Sequence, residues 1–139
     1  MSIAVRYDSK TGNTRKVAEA IAQALGTVAL TVGDPLLEKA DILFLGSAVY
    51  AAGVSPEVKA FIAGLEKDKV GAVACFSTAA LLPSTYKQVK KLVEAKGIPV
   101  LEKEFHCRGR FHFAHKGKPD ESDLKAAAAF ARDVAGEKA

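Results

Sequence analysis

The chain has 139 residues, of which 49% are hydrophobic and 26% charged. These proportions suit one ordinary globular domain with a real core, spanning 1–139. No apolar run is long enough to cross a bilayer, and Met1-Ser2-Ile3 leads directly into a strand pattern, so neither a membrane segment nor a signal peptide is expected and the cytoplasm is the expected location. The net charge of +4 is uneven, with nine Lys and Arg against three Glu between Tyr86 and Lys118. That bias favours acidic or phosphate-bearing partners. No nucleic-acid motif accompanies it.

Strand and helix patterns alternate along the whole chain. Ile3 to Tyr7 reads as a buried strand, and Val17, Ala18, Ile21, Ala22 and Leu25 form one face of a helix ended by Gly26. Thr27 to Val32 predicts a second strand, broken at Gly33-Asp34-Pro35 and followed by a short helical piece to Lys39. Asp41 to Ser47 is the most apolar strand, as expected near the centre of a parallel sheet. Ser55-Pro56-Glu57 opens the next helix as N-cap, N1 proline and first-turn acid, with Val58, Phe61, Ile62 and Leu65 facing inward. Val70 to Phe76 predicts a fourth strand and Ser77 to Pro83 a loop. Ser84 then caps a helix that stops at Gly97, Pro99 to Cys107 predicts a fifth strand, and Asp120 caps an alanine-rich helix to about Val134. Five strand–helix units without repeats or linkers predict an α/β fold: a three-layer α/β/α sandwich around a five-stranded parallel sheet. Its predicted strand order is 2-1-3-4-5. Ligand is then expected at the carboxyl ends of strands 1, 3 and 4, where the order reverses.

Three loops lie at those ends. The first, Asp8-Ser9-Lys10-Thr11-Gly12-Asn13-Thr14, joins a strand to a helix. A helix cap needs one Ser, Thr or Asn; four of them between Ser9 and Thr14, with Gly12 allowing close backbone approach, point to a phosphate held by hydroxyls and helix-terminal amides. Neither G-x-G-x-x-G nor G-x-x-x-x-G-K-[ST] is present, so a phosphate monoester without magnesium fits better than a nucleoside triphosphate. The second loop, Ser47-Ala48-Val49-Tyr50-Ala51-Ala52-Gly53, offers Tyr50 as a surface for a flat ring. The third, starting Ser77-Thr78-Ala79, supplies small residues and amides. No G-x-S-x-G elbow and no acidic cluster for magnesium accompanies them, so no catalytic residue is assigned.

Ser9-x-Thr11-Gly12-Asn13-Thr14 resembles the phosphate loop of the flavodoxin family, and Ala40 to Tyr50 followed by Gly53 resembles the matching family stretch. The resemblance implies FMN as cofactor. The residues it places around FMN are Ser9, Lys10, Thr11, Gly12, Asn13 and Thr14, then Ser47, Ala48, Val49, Tyr50 and Gly53, then Ser77, Thr78 and Ala79. It implies an electron-transfer protein working between redox partners. The alternatives are an FMN-dependent NAD(P)H reductase of quinones or other small acceptors, and a domain of this fold that has lost FMN. The third loop departs from the family in lacking a second stacking aromatic and acids, and the chain has no Trp.

The segment from His106 to Lys118 holds three histidines, Cys107, Phe111 and Phe113. Its spacing matches no structural zinc pattern, so no metal is assigned. It reads equally as a solvated basic loop anchored by the two phenylalanines or as an anion site, where Arg108, Arg110, Lys116 and Lys118 would meet an acidic partner. Cys75 and Cys107 read as reduced, buried thiols, with a disulfide as the lesser reading if their strands adjoin.

Overall fold

The computed structural model describes residues 1–8, 12–48, 54–79, 85–108 and 119–138. Five strands, β1 (Ile3–Tyr7), β2 (Ala29–Thr31), β3 (Ala40–Ala48), β4 (Val70–Ala79) and β5 (Phe105–Arg108), form one parallel sheet in the order β2-β1-β3-β4-β5. The helices are α1 (Asn13–Leu25), α2 (Pro56–Ala63), α3 (Tyr86–Glu94) and α4 (Glu121–Lys138). The expected fold class and strand order are both present.

Alternation along the central strands divides the core into two layers. Ile42 and Phe44 of β3, with Ala74 and Phe76 of β4, pack with Val17 and Ile21 of α1 and with Ala127 and Ala131 of α4. Leu43 and Leu45, with Val73 and Cys75, pack with Val58 and Ile62 of α2 and with Val89 and Val93 of α3. A strand buried on both faces must be apolar at every position, which is why β3 reads as a continuous hydrophobic run. Phe130 of α4 meets the Phe44 ring edge-on at 6.0 Å.

The caps read from sequence recur in the structure. Gly26 ends α1 in the left-handed conformation, its N–H donating to Ala22 and Gln23 carbonyls. Ser55 Oγ accepts from Val58 N–H at the start of α2. Asp120 and Asp123 cap α4 reciprocally, each carboxylate accepting the other's backbone N–H. The start of α3 differs: its N-cap is Thr85 without a side-chain cap bond, and Ser84 lies outside the described residues.

Three further expectations are corrected. The helical piece to Lys39 does not form. Arg6, buried on β1, donates from Nε to Asp34 O (3.0 Å) and from Nη2 to Pro35 O (3.3 Å), holding that connection non-helical. A cavity of about 570 Å³ lies between this connection and α2, lined by Val32, Leu36, Phe61, Leu65 and Asp8 among others. The fifth strand is not continuous from Pro99 to Cys107. Val73 bridges Val100, yet Phe76 pairs with Phe105, so β5 advances five residues while β4 advances three. The excess bulges out at Glu102 to Glu104. Lastly, β4 runs to Ala79, so Ser77, Thr78 and Ala79 belong to the ladder rather than to a loop.

The two cysteines are on adjacent strands but on opposite faces. Cys75 lies in the layer with α2 and α3, and Cys107 packs against the other layer. No disulfide joins them.

Candidate functional site

The carboxyl ends of β1, β3 and β4 converge where the strand order reverses. Side-chain parity along each strand decides which helix each polar residue meets. Thr78 follows Phe76 onto the face of α1, and its Oγ1 lies 2.8 Å from Oγ1 of Thr14, in the first turn of that helix. Ser47 follows Leu45 onto the opposite face, and its Oγ lies 2.6 Å from Oγ1 of Thr85, just before α3. Asp8 N–H donates to Gly46 O, linking the ends of β1 and β3. Ser55 Oγ donates to Asp8 Oδ2 at 2.6 Å while also capping α2. Gln88 Oε1 accepts from Val54 N–H, tying α3 to the residues before α2.

Apart from the Asp8 carboxylate, which accepts from Ser55, this gathers neutral, buried hydroxyls at the strand ends. In a hydroxyl–hydroxyl pair one O–H is the bridge and the other proton remains uncommitted. Among the described residues no further acceptor meets the Thr14–Thr78 or the Ser47–Thr85 pair, so each keeps one donor. Ser77 is 1% exposed, and among the described residues its Oγ has no hydrogen-bond partner. A buried hydroxyl left unpaired costs about 1–3 kcal/mol, which a polar atom of a ligand would recover. Gly12, with φ 89°, brings the chain into α1 in a conformation unfavourable for a side chain, and a Cβ there would meet nothing within 4 Å. No acid lies in the first turn of α1, so nothing in that turn opposes an anion at the positive helix end. This donor set fits a phosphate-bearing polar ligand.

Of the residues expected at the site, Gly12, Asn13, Thr14, Ser47, Ala48, Ser77, Thr78 and Ala79 are described, and all lie at the ends of β3 and β4 or the start of α1. Ser9, Lys10, Thr11, Val49, Tyr50 and Gly53 lie outside the described residues. So do Arg110, Phe111, Phe113, Lys116 and Lys118; Arg108 ends β5, paired with Ala79. Thr85, Ser55 and Gln88 were not anticipated as links between the loops. In sequence Ser55 signals a helix cap, and its second role, donating to Asp8, needs the fold; Thr85 carries no local signal beside Ser84. The large cavity beside α2 touches this site only at Asp8, and the hydroxyl and helix-end donors do not line it.

His106 pairs with Ser77 across β4 and β5, and its Nδ1 lies 3.0 Å from Glu104 Oε1. Burial pushes the Cys75 thiol, in the same layer, up to about 12, with the Glu104 charge adding to the effect. A thiol so raised is neither a nucleophile nor a redox partner at neutral pH.

The model of the flavodoxin domain matches residues 4–115. A flavodoxin from the domain Archaea has a similar structure, with a TM-score of 0.81, 19% identity and coverage of 99% of both chains. A short-chain flavodoxin associated with a bacterial microcompartment superposes with a TM-score of 0.78 at 18% identity over 100% of both chains. The rubredoxin oxygen:oxidoreductase of Desulfovibrio gigas contains a similar fold, with a TM-score of 0.75 at 16% identity, covering 98% of this chain but 35% of the other. No curated protein sequence matches the chain.

Proposed function

The chain belongs to the flavodoxin family, and from that premise we propose that it holds FMN non-covalently at the ends of β1, β3 and β4 and carries electrons between redox partners. The observation that carries this reading is the meeting of Thr14, Ser47, Thr78 and the buried Ser77, unpartnered among the described residues, where the strand order reverses. When bound, the flavin supplies the redox chemistry. The chain's part is to bind and orient it. Ser9, Thr11 and Thr14, with the amides that open α1, are assigned to the phosphate, with Lys10, Gly12 and Asn13 completing that loop. Ser47, Ala48, Val49 and Gly53 are assigned to one edge of the ring, Tyr50 to its face, and Ser77, Thr78 and Ala79 to the opposite edge.

The paired hydroxyls hold α1 and α3 to the sheet, so their uncommitted protons are presented without reorganisation. Few acids lie in these loops, so negative charge gathering on the ring is penalised less than in an acidic site. Arg108, Arg110, Lys116 and Lys118 are assigned to contact with an acidic partner.

The carrier reading is tested with FMN-loaded protein and NADPH. Alone, the loaded protein should leave NADPH unoxidised, and flavin reduction should begin only when a reductase is added. Steady NADPH oxidation by the loaded protein with a quinone would replace the carrier with a reductase.

A further inference from the structure

Helix α3 presents a lysine face. Its sequence, Tyr86-Lys87-Gln88-Val89-Lys90-Lys91-Leu92-Val93-Glu94, contains three lysines and one acid. Val89 and Val93 are buried, which turns Lys87 and Lys91 to the outside, where both are exposed. Lys90 lies alongside them with Nζ 5.7 Å from the Tyr86 ring centroid.

This arrangement works against the helix. Lys87 and Lys91 are four residues apart, so their charges are neighbours on one face and repel. Lys87 also lies in the first turn, where the helix end is positive and no acid offsets it. Some exposed lysines meet carboxylates, as Lys69 meets Glu66, Lys103 meets Asp133 and Lys125 meets Glu121. Scattered ones such as Lys16, Lys59 and Lys67 do not among the described residues, and what sets α3 apart is that its three lysines share one short helix. Among the described residues, no carboxylate forms an ion pair with Lys87, Lys90 or Lys91.

The location gives the cluster a use. Thr85, bonded to Ser47, pins the start of α3 to the candidate site. At about 1.5 Å per residue, Lys91 lies only about 9 Å along the axis from Thr85. We propose that the outer face of α3, centred on Lys87 and Lys91, is the docking surface for an acidic protein that exchanges electrons with this chain. The exchange rests on the flavin reading above; the contact does not. Unpaired like charges beside a site steer an oppositely charged partner and speed encounter at low salt. A bilayer is a poorer match, because the valines of α3 face the core and leave no apolar side to insert. Nucleic acid is also poorer, because the one aromatic of α3, Tyr86, lies under Lys90 and is not set out for base stacking.

The test is a titration of the isotopically labelled full chain, followed by amide chemical shifts, with a small acidic [2Fe–2S] protein as the probe. It is run with and without added FMN. Shifts should centre on α3 in both cases and vanish at high salt. K87E/K91E should weaken binding about tenfold or more, K87Q/K91Q should weaken it less, and the matched reversal K125E/R132E on α4 should change it less than about twofold. Absence of binding at low salt, shifts centred on another face, or equal losses in the two reversed pairs would overturn the proposal. So would tighter engagement of α3 by anionic vesicles or a DNA duplex. A chain that docks the probe but takes up no FMN would refute the flavin reading while leaving the surface in place.

Discussion

Gly46 shows how one absent methyl sets the geometry at the site. It pairs with Phe76 across β3 and β4, and a Cβ at this position would fall 2.1 Å from the Phe76 ring. Phe76 is fully buried in the layer beneath α1 and α4, so the ring has nowhere to retreat. Gly46→Ala should therefore destabilise the protein by about 1–3 kcal/mol, seen as a lower urea midpoint with an unchanged slope. It should also disturb the Gly46 carbonyl that receives Asp8 N–H. Cys75 makes a different prediction. Its thiol is raised from an ordinary 9.0 to about 12 in the folded state, chiefly by burial. The folded chain therefore holds that proton more tightly than the unfolded one. The resulting stability is complete below about pH 9 and declines as pH rises towards 12. Unfolding midpoints measured across that range should fall with pH, and C75A should remove that part of the slope. In the native protein at neutral pH, Cys75 should resist alkylation that proceeds readily in denaturant, as peptide mass mapping would show.

Elements were legible where burial is two-sided and illegible where tertiary contacts override local pattern. The long apolar runs of β3 and β4 announced a parallel sheet, and the Gly26, Ser55 and Asp120 caps were readable because each acts within a few residues of itself. The end of β4 at the site was not readable. Ser47 is legible as the end of its strand, but Ser77 and Thr78 look like loop residues, yet both stay in the β4 ladder, where Thr14 arrives from a distant helix to bond Thr78. The β5 excess was hidden because Val100, Leu101 and Phe105 suggest one run, whereas the register against β4 shifts between them. The connection after β2 reads as a short helical piece to Lys39. Arg6, on another strand, instead binds the Asp34 and Pro35 carbonyls. Burial lowers the Arg6 pKa, with the Asp34 charge opposing the effect. Replacing Arg6 with Ala would leave those carbonyls without their donor, and a loss of about 1–3 kcal/mol is expected. Hydrogen exchange should show the change concentrated in residues 32–39 rather than spread over the sheet.

At the scale of the molecule, the sheet gathers the ends of β1, β3 and β4 on one side and places the lysines of α3 beside them. The lysines of α3 thus stand next to the proposed FMN site. Among the described residues, no helix is long and apolar enough to cross a membrane. The proposal on which the rest depends is an FMN site at the ends of β1, β3 and β4. Titrating flavin-free protein into FMN and following flavin fluorescence tests it most directly. Saturable quenching with one FMN per chain is expected, weakened when the Thr14 and Thr78 hydroxyls are removed together as T14V/T78V. FMN fluorescence that stays unchanged with folded protein in excess would contradict it.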